Sequence, residues 1–389
     1  KRLDHCIRDA DSIATADPVE STGIRLARLG GDEFVVLIEN IESEAEVDKV
    51  ATRIRASLMA PFKYDGHQFV VTPSIGIALF PRDGDRIDDL LMKADMAMYQ
   101  VKSTGRNSHS FYSGTMNLRS LERLDFENEL QNAIRNNVFQ LHYQPKVELA
   151  NNRIVGVEAL LRWQHPERGW IPPTQFIPLA EETGLIVQLG KWVVQKACEQ
   201  SKAWEQAGIN NISIAINVSS RQFCHGDLLD SILRIVAETG VRPQNVELEI
   251  TESLLMRDVD ETVAALRSFK DAGLRISIDD FGTGYSSLNY LKQFPLDALK
   301  IDRSFVQDLH QNRDDAAICA AILAMARELG LSVVAEGVEL EEQLDFLRRH
   351  NCDQVQGFLI SRPLPAERFE KFFHSYSHQH MDIKVDNTS

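Results

Sequence analysis

Cysteine is scarce and scattered. The five cysteines among 389 residues (Cys6, Cys198, Cys224, Cys319 and Cys352) form no CxxC pair, so neither a zinc ribbon nor a disulfide framework is indicated, and a reducing, cytoplasmic compartment fits best. Long apolar runs are missing as well. No stretch approaches the roughly 18 to 20 residues that a membrane helix needs, and KRLDHCIRDAD at the start lacks the apolar segment of a signal peptide. Glycine (21) and proline (13) are too few for a fibrous or low-complexity chain. Positive charge is in deficit: 42 Lys plus Arg against 57 Asp plus Glu gives −15, which argues against a coat for duplex nucleic acid or an anionic membrane. What remains is an ordinary globular composition, 43% hydrophobic and 25% charged, at a length that accommodates two or three domains. The absence of an initiating Met reads as a piece of a longer chain, in which sensor domains or a membrane anchor could lie upstream.

The acid is unevenly spread. Residues 1–120 hold 15 basic and 18 acidic side chains, a net of −3, and the remainder holds 27 and 39, a net of −12. A polar joint near Tyr112-Ser113-Gly114-Thr115 separates two rhythms, so the expected division is 1–113, a linker at 114–121, 122–373, and an unstructured tail over 374–389. In the first segment, strand-like runs at 24–29 and 34–40 flank Gly30-Gly31-Asp32-Glu33, which reads as a hairpin carrying two adjacent carboxylates. A helix over about 43–59, strands around 68–80 and a helix over 88–105 complete an α+β domain. The second segment repeats one unit, a β-branched strand ending in a polar residue and then an amphipathic helix. Strands are expected at 139–145, 154–163, 212–219, 246–252, 274–280, 298–302, 332–337 and 355–361, with helices at 227–240, 259–273, 314–330 and 342–351. Eight such strands over about 250 residues predict an α/β fold, a (β/α)8 TIM-like barrel.

In such barrels chemistry sits at the C-terminal strand ends. The polar residues found there are Gln144, Glu158, Asn217, Glu249, Asp279 with Asp280, Lys300, Glu336 and Gln356. Taken singly, Asp280 or Glu252 could merely cap the next helix. Taken together, five carboxylates at one mouth repel by roughly 4 kcal/mol per pair about 4 Å apart at an effective dielectric near 20, and cations resolve this most simply. Oxygen ligands with an Asn carbonyl favour Mg²⁺ or Mn²⁺ over zinc, and the Asp279-Asp280 pair allows two ions, the apparatus of phosphodiester hydrolysis by in-line attack of an activated water. Lys300 can orient that water or stabilise developing charge. The glycines of DDFGTGYSSL (279–288) permit positive φ and close approach to a ligand.

Glu158-Ala159-Leu160 with Leu161-Arg162-Trp163, Asn217 in INVS, ELEITES (247–253), DDFGTGYSSL, LKID, AEGVE (335–339) and QGF (356–358) resemble the EAL phosphodiesterases over about residues 122–373. The resemblance implies a barrel whose first strand runs antiparallel and that linearises cyclic di-GMP, a bacterial second messenger, to pGpG with two Mg²⁺ or Mn²⁺ ions per site; Ca²⁺ would bind and inhibit. It implies that Glu158, Asn217, Glu249 and Asp279 hold one metal. Asp279, Asp280 and Glu336 would hold or support the other. Lys300 would engage the water, with Glu339 assisting nearby. Gln144, Leu160, Arg162, Gln356 and Asp280 would face the substrate, Arg162 through a phosphate, and Glu252 would brace the DDFGTG loop. A homodimer through the barrel is implied too. No motif position departs from the pattern, which favours an enzyme over the alternative, a non-catalytic cyclic di-GMP receptor.

The first segment resembles the later part of a GGDEF diguanylate cyclase domain through RLGGDEF (28–34), SIGIALFP (74–81), Ala94-Asp95 to Tyr99, Lys102, Gly105 and Arg106. That family binds metal and GTP at its hairpin. The early strand with a further metal-binding Asp is lacking, and Ser21 and Ile24 stand where a product-binding Arg and Asp would be. This chain is therefore expected to make no cyclic di-GMP, with its GGDEF part regulatory; the full-length protein would either cyclise GTP or bind it and regulate the barrel. Other residues carry structural expectations only: His142 and His165 as peripheral, Cys198 and Cys319 as core, and His374, His378 and His380 as tail.

Overall fold

The computed structural model describes residues 24–64, 67–103, 105–223, 227–255, 259–283 and 291–381. Cys6, Cys224, Ser21 and the DDFGTGYSSL loop beyond Thr283 lie outside them. Two compact units divide at Phe126/Glu127.

In the first unit, strands Ile24–Gly30 and Glu33–Ile38 pair antiparallel, with Gly31 in the left-handed region at φ 52°. This is the expected hairpin, tied at its tip by Arg28 Nε donating to the Gly31 carbonyl at 3.0 Å. Helices Glu44–Met59 and Ile87–Ser103 lie where periodicity puts them. The strands expected around 68–80 are His67–Phe69, which pairs with Phe62–Tyr64 in a short hairpin, and Ile75–Ile77, which pairs in parallel with His109–Phe111. Gly76 explains why Ile75–Ile77 can approach the second helix: a Cβ there would sit 1.9 Å from the Ala94 carbonyl oxygen.

The expected linker is not a loop. Helix Thr115–Arg135 runs through 115–121 and on past the boundary between the units. Its residues are good helix formers with no internal Gly or Pro, and a polar composition alone does not distinguish an exposed helix from a linker.

The second unit is a closed eight-stranded barrel. We label its strands β1 (Phe139–Glu148), β2 (Arg153–His165), β3 (Ser213–Val218), β4 (Val246–Thr251), β5 (Arg275–Phe281), β6 (Ala298–Ile301), β7 (Ser332–Ala335) and β8 (Gln354–Val355). Neighbours pair in parallel from β2 through β8, and β1 closes the ring antiparallel to both β2 and β8. Strict alternation separates two environments. Ile214, Ile216 and Val218 of β3, Leu248 and Ile250 of β4, Ile276 and Ile278 of β5, and Leu299 and Ile301 of β6 join one buried apolar cluster. The intervening residues, among them Glu247 and Glu249, Ser277 and Asp279, and Lys300, take the other face. Burying each Ile or Leu contributes about 1.5–3 kcal/mol, so a one-residue register slip that inverted the faces would cost many times that.

Amphipathic helices cover the outside. Helix Leu228–Thr239 buries Leu228, Ser231, Ile232, Ile235 and Val236, the spacing of one helical face, and stops at Gly240 in the left-handed region. Cys198, Cys319 and Cys352 are buried free thiols, as expected of core cysteines, and burial pushes each up to about 12. The last helix, Ala366–Met381, carries residues 374–381 that composition alone reads as tail; Phe369 of its first turns stacks within 4.8 Å of Trp204, which anchors it to the barrel. Among the described residues, no helix is long and apolar enough to cross a membrane.

Candidate active site

Alternation and register bring one polar residue from most strands to the same end of the barrel. β1 and β2 place Gln144 opposite Glu158, β3 and β4 place Asn217 beside Glu249, and β4 and β5 place Thr251 beside Asp279. At the centre is Lys300, fully buried. Its Nζ lies 2.6 Å from Glu336, 2.8 Å from Glu249, 3.1 Å from Asp279 and 3.7 Å from Glu158. Burial alone would lower the Lys300 pKa, but these carboxylates outweigh it and hold the group well above its ordinary value, which favours its ammonium form.

A belt of side-chain amides fixes the carboxylates. Asn217 Nδ2 donates to Glu158 Oε1 at 2.7 Å, and Gln356 Nε2 donates to Glu158 Oε2 at 2.6 Å and to Gln144 Oε1 at 3.1 Å. Gln144 in turn donates to the Ser361 carbonyl at 3.1 Å. Gly357 makes this approach possible, because a Cβ there would lie 2.0 Å from the Val338 carbonyl oxygen. Asn217 thereby keeps its own carbonyl oxygen uncommitted, and Gln356 Oε1 is buried without a hydrogen-bond partner among the described residues.

Asp279, Asp280 and Glu336 form a second grouping, with one oxygen of each lying within 4.8 Å of the others. Asp280 is exposed with φ 54°, and its backbone N–H donates to Asp279 Oδ1 at 3.0 Å, a turn that sets the two carboxylates side by side. Just beyond it, Gly282 at φ 99° donates to Glu252 Oε2 at 3.0 Å, so the buried Glu252 is tied to the start of the DDFGTG loop.

Two lysines, not one, stand among these acids. Lys146, on the face of β1 that carries Gln144, is 1% exposed; its Nζ donates to Glu249 Oε1 at 2.8 Å and to Glu247 Oε1 at 3.1 Å, and Ser277 Oγ donates to the same Glu247 oxygen at 2.9 Å. This layer was absent from the sequence-based candidates. The signal was there: Lys146, Glu247 and Ser277 stand two residues from Gln144, Glu249 and Asp279, hence on the same faces. Beside any bound cation, the two lysines relieve part of the acidic repulsion. The relief is incomplete: Glu158, Glu247, Glu249, Asp279 and Glu336 outnumber the two ammonium groups by three. Glu249, against both lysines, is held at about 2 although burial acts to raise it. Glu158 is raised, first by burial and then by Glu249 and Asp279 against the pull of Lys300. Burial, with the neighbouring carboxylates and against Lys300, pushes Glu336 up to about 8. Such a site takes up protons or cations, and its donors, all oxygens, suit hard divalent ions.

Three expected residues lie outside the group of carboxylates that contact Lys300. Glu339 is partly exposed and pairs with Arg303 Nη2 at 3.0 Å. Arg162 is half-buried and donates to the Leu161 carbonyl at 2.8 Å. Leu160, partly buried, shares with Arg162 and Glu158 one face of β2, which continues away from the lysine cluster. His142 packs edge-on to Trp170, and His165 Nδ1 accepts the backbone N–H groups of Glu167 and Arg168 at 3.1 Å, as structural histidines do.

A closed barrel with one reversed strand and a carboxylate–amide–lysine mouth defines a class, and comparison agrees with it: residues 127–363 match the EAL domain model, and the chain belongs to that family. Residues 16–108 match the model described as diguanylate cyclase, GGDEF domain. Among curated proteins, the bifunctional diguanylate cyclase/cyclic di-GMP phosphodiesterase MucR of Pseudomonas aeruginosa is 47% identical over 343 residues, covering 88% of this chain and 50% of MucR. The cyclic di-GMP phosphodiesterase PdeR of Escherichia coli is 38% identical over 373 residues, covering 96% of this chain and 56% of PdeR. The chain thus spans about half the length of these relatives. Among solved structures, the MucR phosphodiesterase in complex with c-di-GMP is 50% identical with a TM-score of 0.61, covering 62% of this chain and 98% of that one.

Proposed function

We infer that the second unit is a metal-dependent phosphodiesterase that hydrolyses cyclic di-GMP to pGpG. The observation that carries this is the cluster around Lys300: four carboxylates within 3.7 Å of one ammonium group, with negative charge left over, in a barrel half identical to a cyclic di-GMP phosphodiesterase. Glu158, Asn217, Glu249 and Asp279 would hold one Mg²⁺ or Mn²⁺, and Asp279, Asp280 and Glu336 the other. Bound there, the ions would supply Lewis acidity and positive charge for phosphoryl transfer. The chain's own groups do the remainder. The amide belt fixes both oxygens of Glu158, Oε1 through Asn217 and Oε2 through Gln356, and sets Oε2 3.7 Å from Lys300. Lys300, kept in its charged form by the surrounding carboxylates, donates a hydrogen bond to the attacking water and to the charge that develops as the bond from that water to phosphorus forms and the P–O3′ bond breaks; the water gives up its proton to a neighbouring carboxylate or solvent, and the departing O3′ takes one up. Gln356 Oε1, buried without a partner, awaits a donor from the substrate. Glu252 holds Gly282 and with it the Asp279-Asp280 turn.

Incubation with cyclic di-GMP and Mg²⁺ or Mn²⁺, followed by chromatography, tests this. Accumulation of pGpG, absent with EDTA and suppressed by Ca²⁺, is expected; binding without turnover in either metal would make the barrel a receptor. The family resemblance supports two further parts of the proposal, pairing of barrels as a homodimer and GTP binding at the Asp32–Glu33 hairpin of the full-length protein. Sedimentation analysis and GTP titration test them, and a monomer or a silent titration would remove each.

A further inference from the structure

Lys146, Glu247 and Ser277 have no place in the chemistry described above, yet they form a complete buried hydrogen-bonded layer directly against it. A fully buried lysine is costly unless its partners are fixed, and breaking such a pair leaves an uncompensated charge. Here the partners divide the work. Glu249 is gripped at both oxygens, Oε1 by Lys146 at 2.8 Å and Oε2 by Lys300 at 2.8 Å. Lys146 itself is steadied by Glu247, whose Oε1 also accepts from Ser277 Oγ at 2.9 Å.

We propose that Lys146 is a positioning residue: through a Ser277–Glu247–Lys146 chain it pins Oε1 of Glu249, so that Oε2 alone is presented beside Lys300 to the divalent-cation site. Three strands supply the chain, β1 with Lys146, β4 with Glu247 and Glu249, and β5 with Ser277, so the carboxylate's rotation is set by the barrel wall and not by its own rotamer preferences. Partners that orient a ligand without touching the metal typically change metal affinity or activity 10- to 100-fold when removed. The inference rests on the phosphodiesterase reading only for its turnover arm.

The test is the double variant Lys146→Met/Glu247→Gln, which removes one charge of each sign, keeps the length of the Glu247 side chain and shortens the Lys146 side chain by its terminal atom only. Mn²⁺ alone is titrated calorimetrically into the full chain, the Mn²⁺ electron paramagnetic resonance spectrum is recorded, and kcat and KM for cyclic di-GMP are measured. Expected are a native-like melting curve, Mn²⁺ binding about tenfold weaker or more, an altered Mn²⁺ spectrum, and kcat reduced by a similar factor with KM within about twofold. Wild-type Mn²⁺ affinity and spectrum in the folded double variant would overturn the proposal, since the layer would then only balance charge. Should the double variant fail to fold, Ser277→Ala decides, because it deletes one hydroxyl and no charge. Weaker Mn²⁺ binding supports the chain of contacts, and unchanged binding overturns it. Wild-type chain that binds Mn²⁺ but turns nothing over would count against the phosphodiesterase reading and leave the Mn²⁺ comparison decisive for Lys146.

Discussion

Replacing Lys300 by Met keeps the aliphatic stem in the barrel and removes the one charge that four carboxylates share. At about 3 Å and an effective dielectric near 20, each ammonium–carboxylate contact is worth roughly 5 kcal/mol of Coulomb energy, most of it offset by the cost of taking both ions out of water. The net penalty for breaking a buried pair is about 3–5 kcal/mol, and for a unit of this size each kcal/mol moves the melting temperature by roughly 2–4 °C. Metal-free Lys300→Met should therefore melt roughly 6 to 20 °C below wild type. Millimolar Mg²⁺ should recover a larger part of that difference than it adds to wild type, because the variant site carries one more uncompensated negative charge. Loss of a donor aimed at developing charge costs about 10²–10³ in kcat, so turnover should fall by that factor with KM little changed. Calorimetric melts with and without Mg²⁺, and kcat and KM from pGpG formation, provide the readings. A variant with near-wild-type kcat and a raised KM would recast Lys300 as a substrate-binding residue. An unaltered melting temperature would show that the carboxylates do not depend on it.

Glu158→Ala deletes a proposed carboxylate ligand and Asp279→Asn replaces another with a neutral amide, and each should abolish turnover; retention of more than about a few per cent of wild-type rate would contradict the ligand assignment. The raised pKa of Glu336, about 8, sets a sign for pH dependence. The folded metal-free protein keeps a proton that the unfolded chain releases near the ordinary carboxylate value, so stability should fall as pH rises from about 4.5 to about 8, and stabilisation by Mg²⁺ should grow over that window. Melting curves at both ends check this, and a metal-free melting temperature that climbs toward pH 8 refutes it. Gly357→Ala would drive a Cβ into the Val338 backbone 2.0 Å away and displace Gln356. Activity should drop at least tenfold even though the substitution touches no charged group; wild-type kinetics would mean that the amide belt is dispensable.

Much of the barrel is legible in the amino-acid sequence, because both of its periodicities are strong. Strand β4 reads VELEIT, and each apolar residue of it packs outward while each glutamate faces in, so the site residue Glu249 follows from alternation alone. Lys300 is legible for the same reason, as the one charge in the short strand ALKI. Lys146 is not, because looking to C-terminal strand ends presumes parallel strands, and β1 runs the other way, carrying its inward lysine beneath Gln144 toward the opposite end. Glu247 and Ser277 are hidden similarly, one layer below the rim. Glu339, implied by the family resemblance, follows the end of β7 and pairs with Arg303 toward the surface. The helix at 115–135 and the continuation of the last helix through Met381 are masked by polar composition, which marks solvent exposure but not backbone conformation.

Hydrolysis in oxygen-18 water shows whether the barrel delivers a water oxygen to phosphorus. With Mg²⁺ or Mn²⁺, cyclic di-GMP should be converted to pGpG carrying a single heavy oxygen on its terminal phosphate, and Asp279→Asn should give none. Absence of pGpG in both metals, or pGpG without the label, would contradict a barrel that directs water at phosphorus.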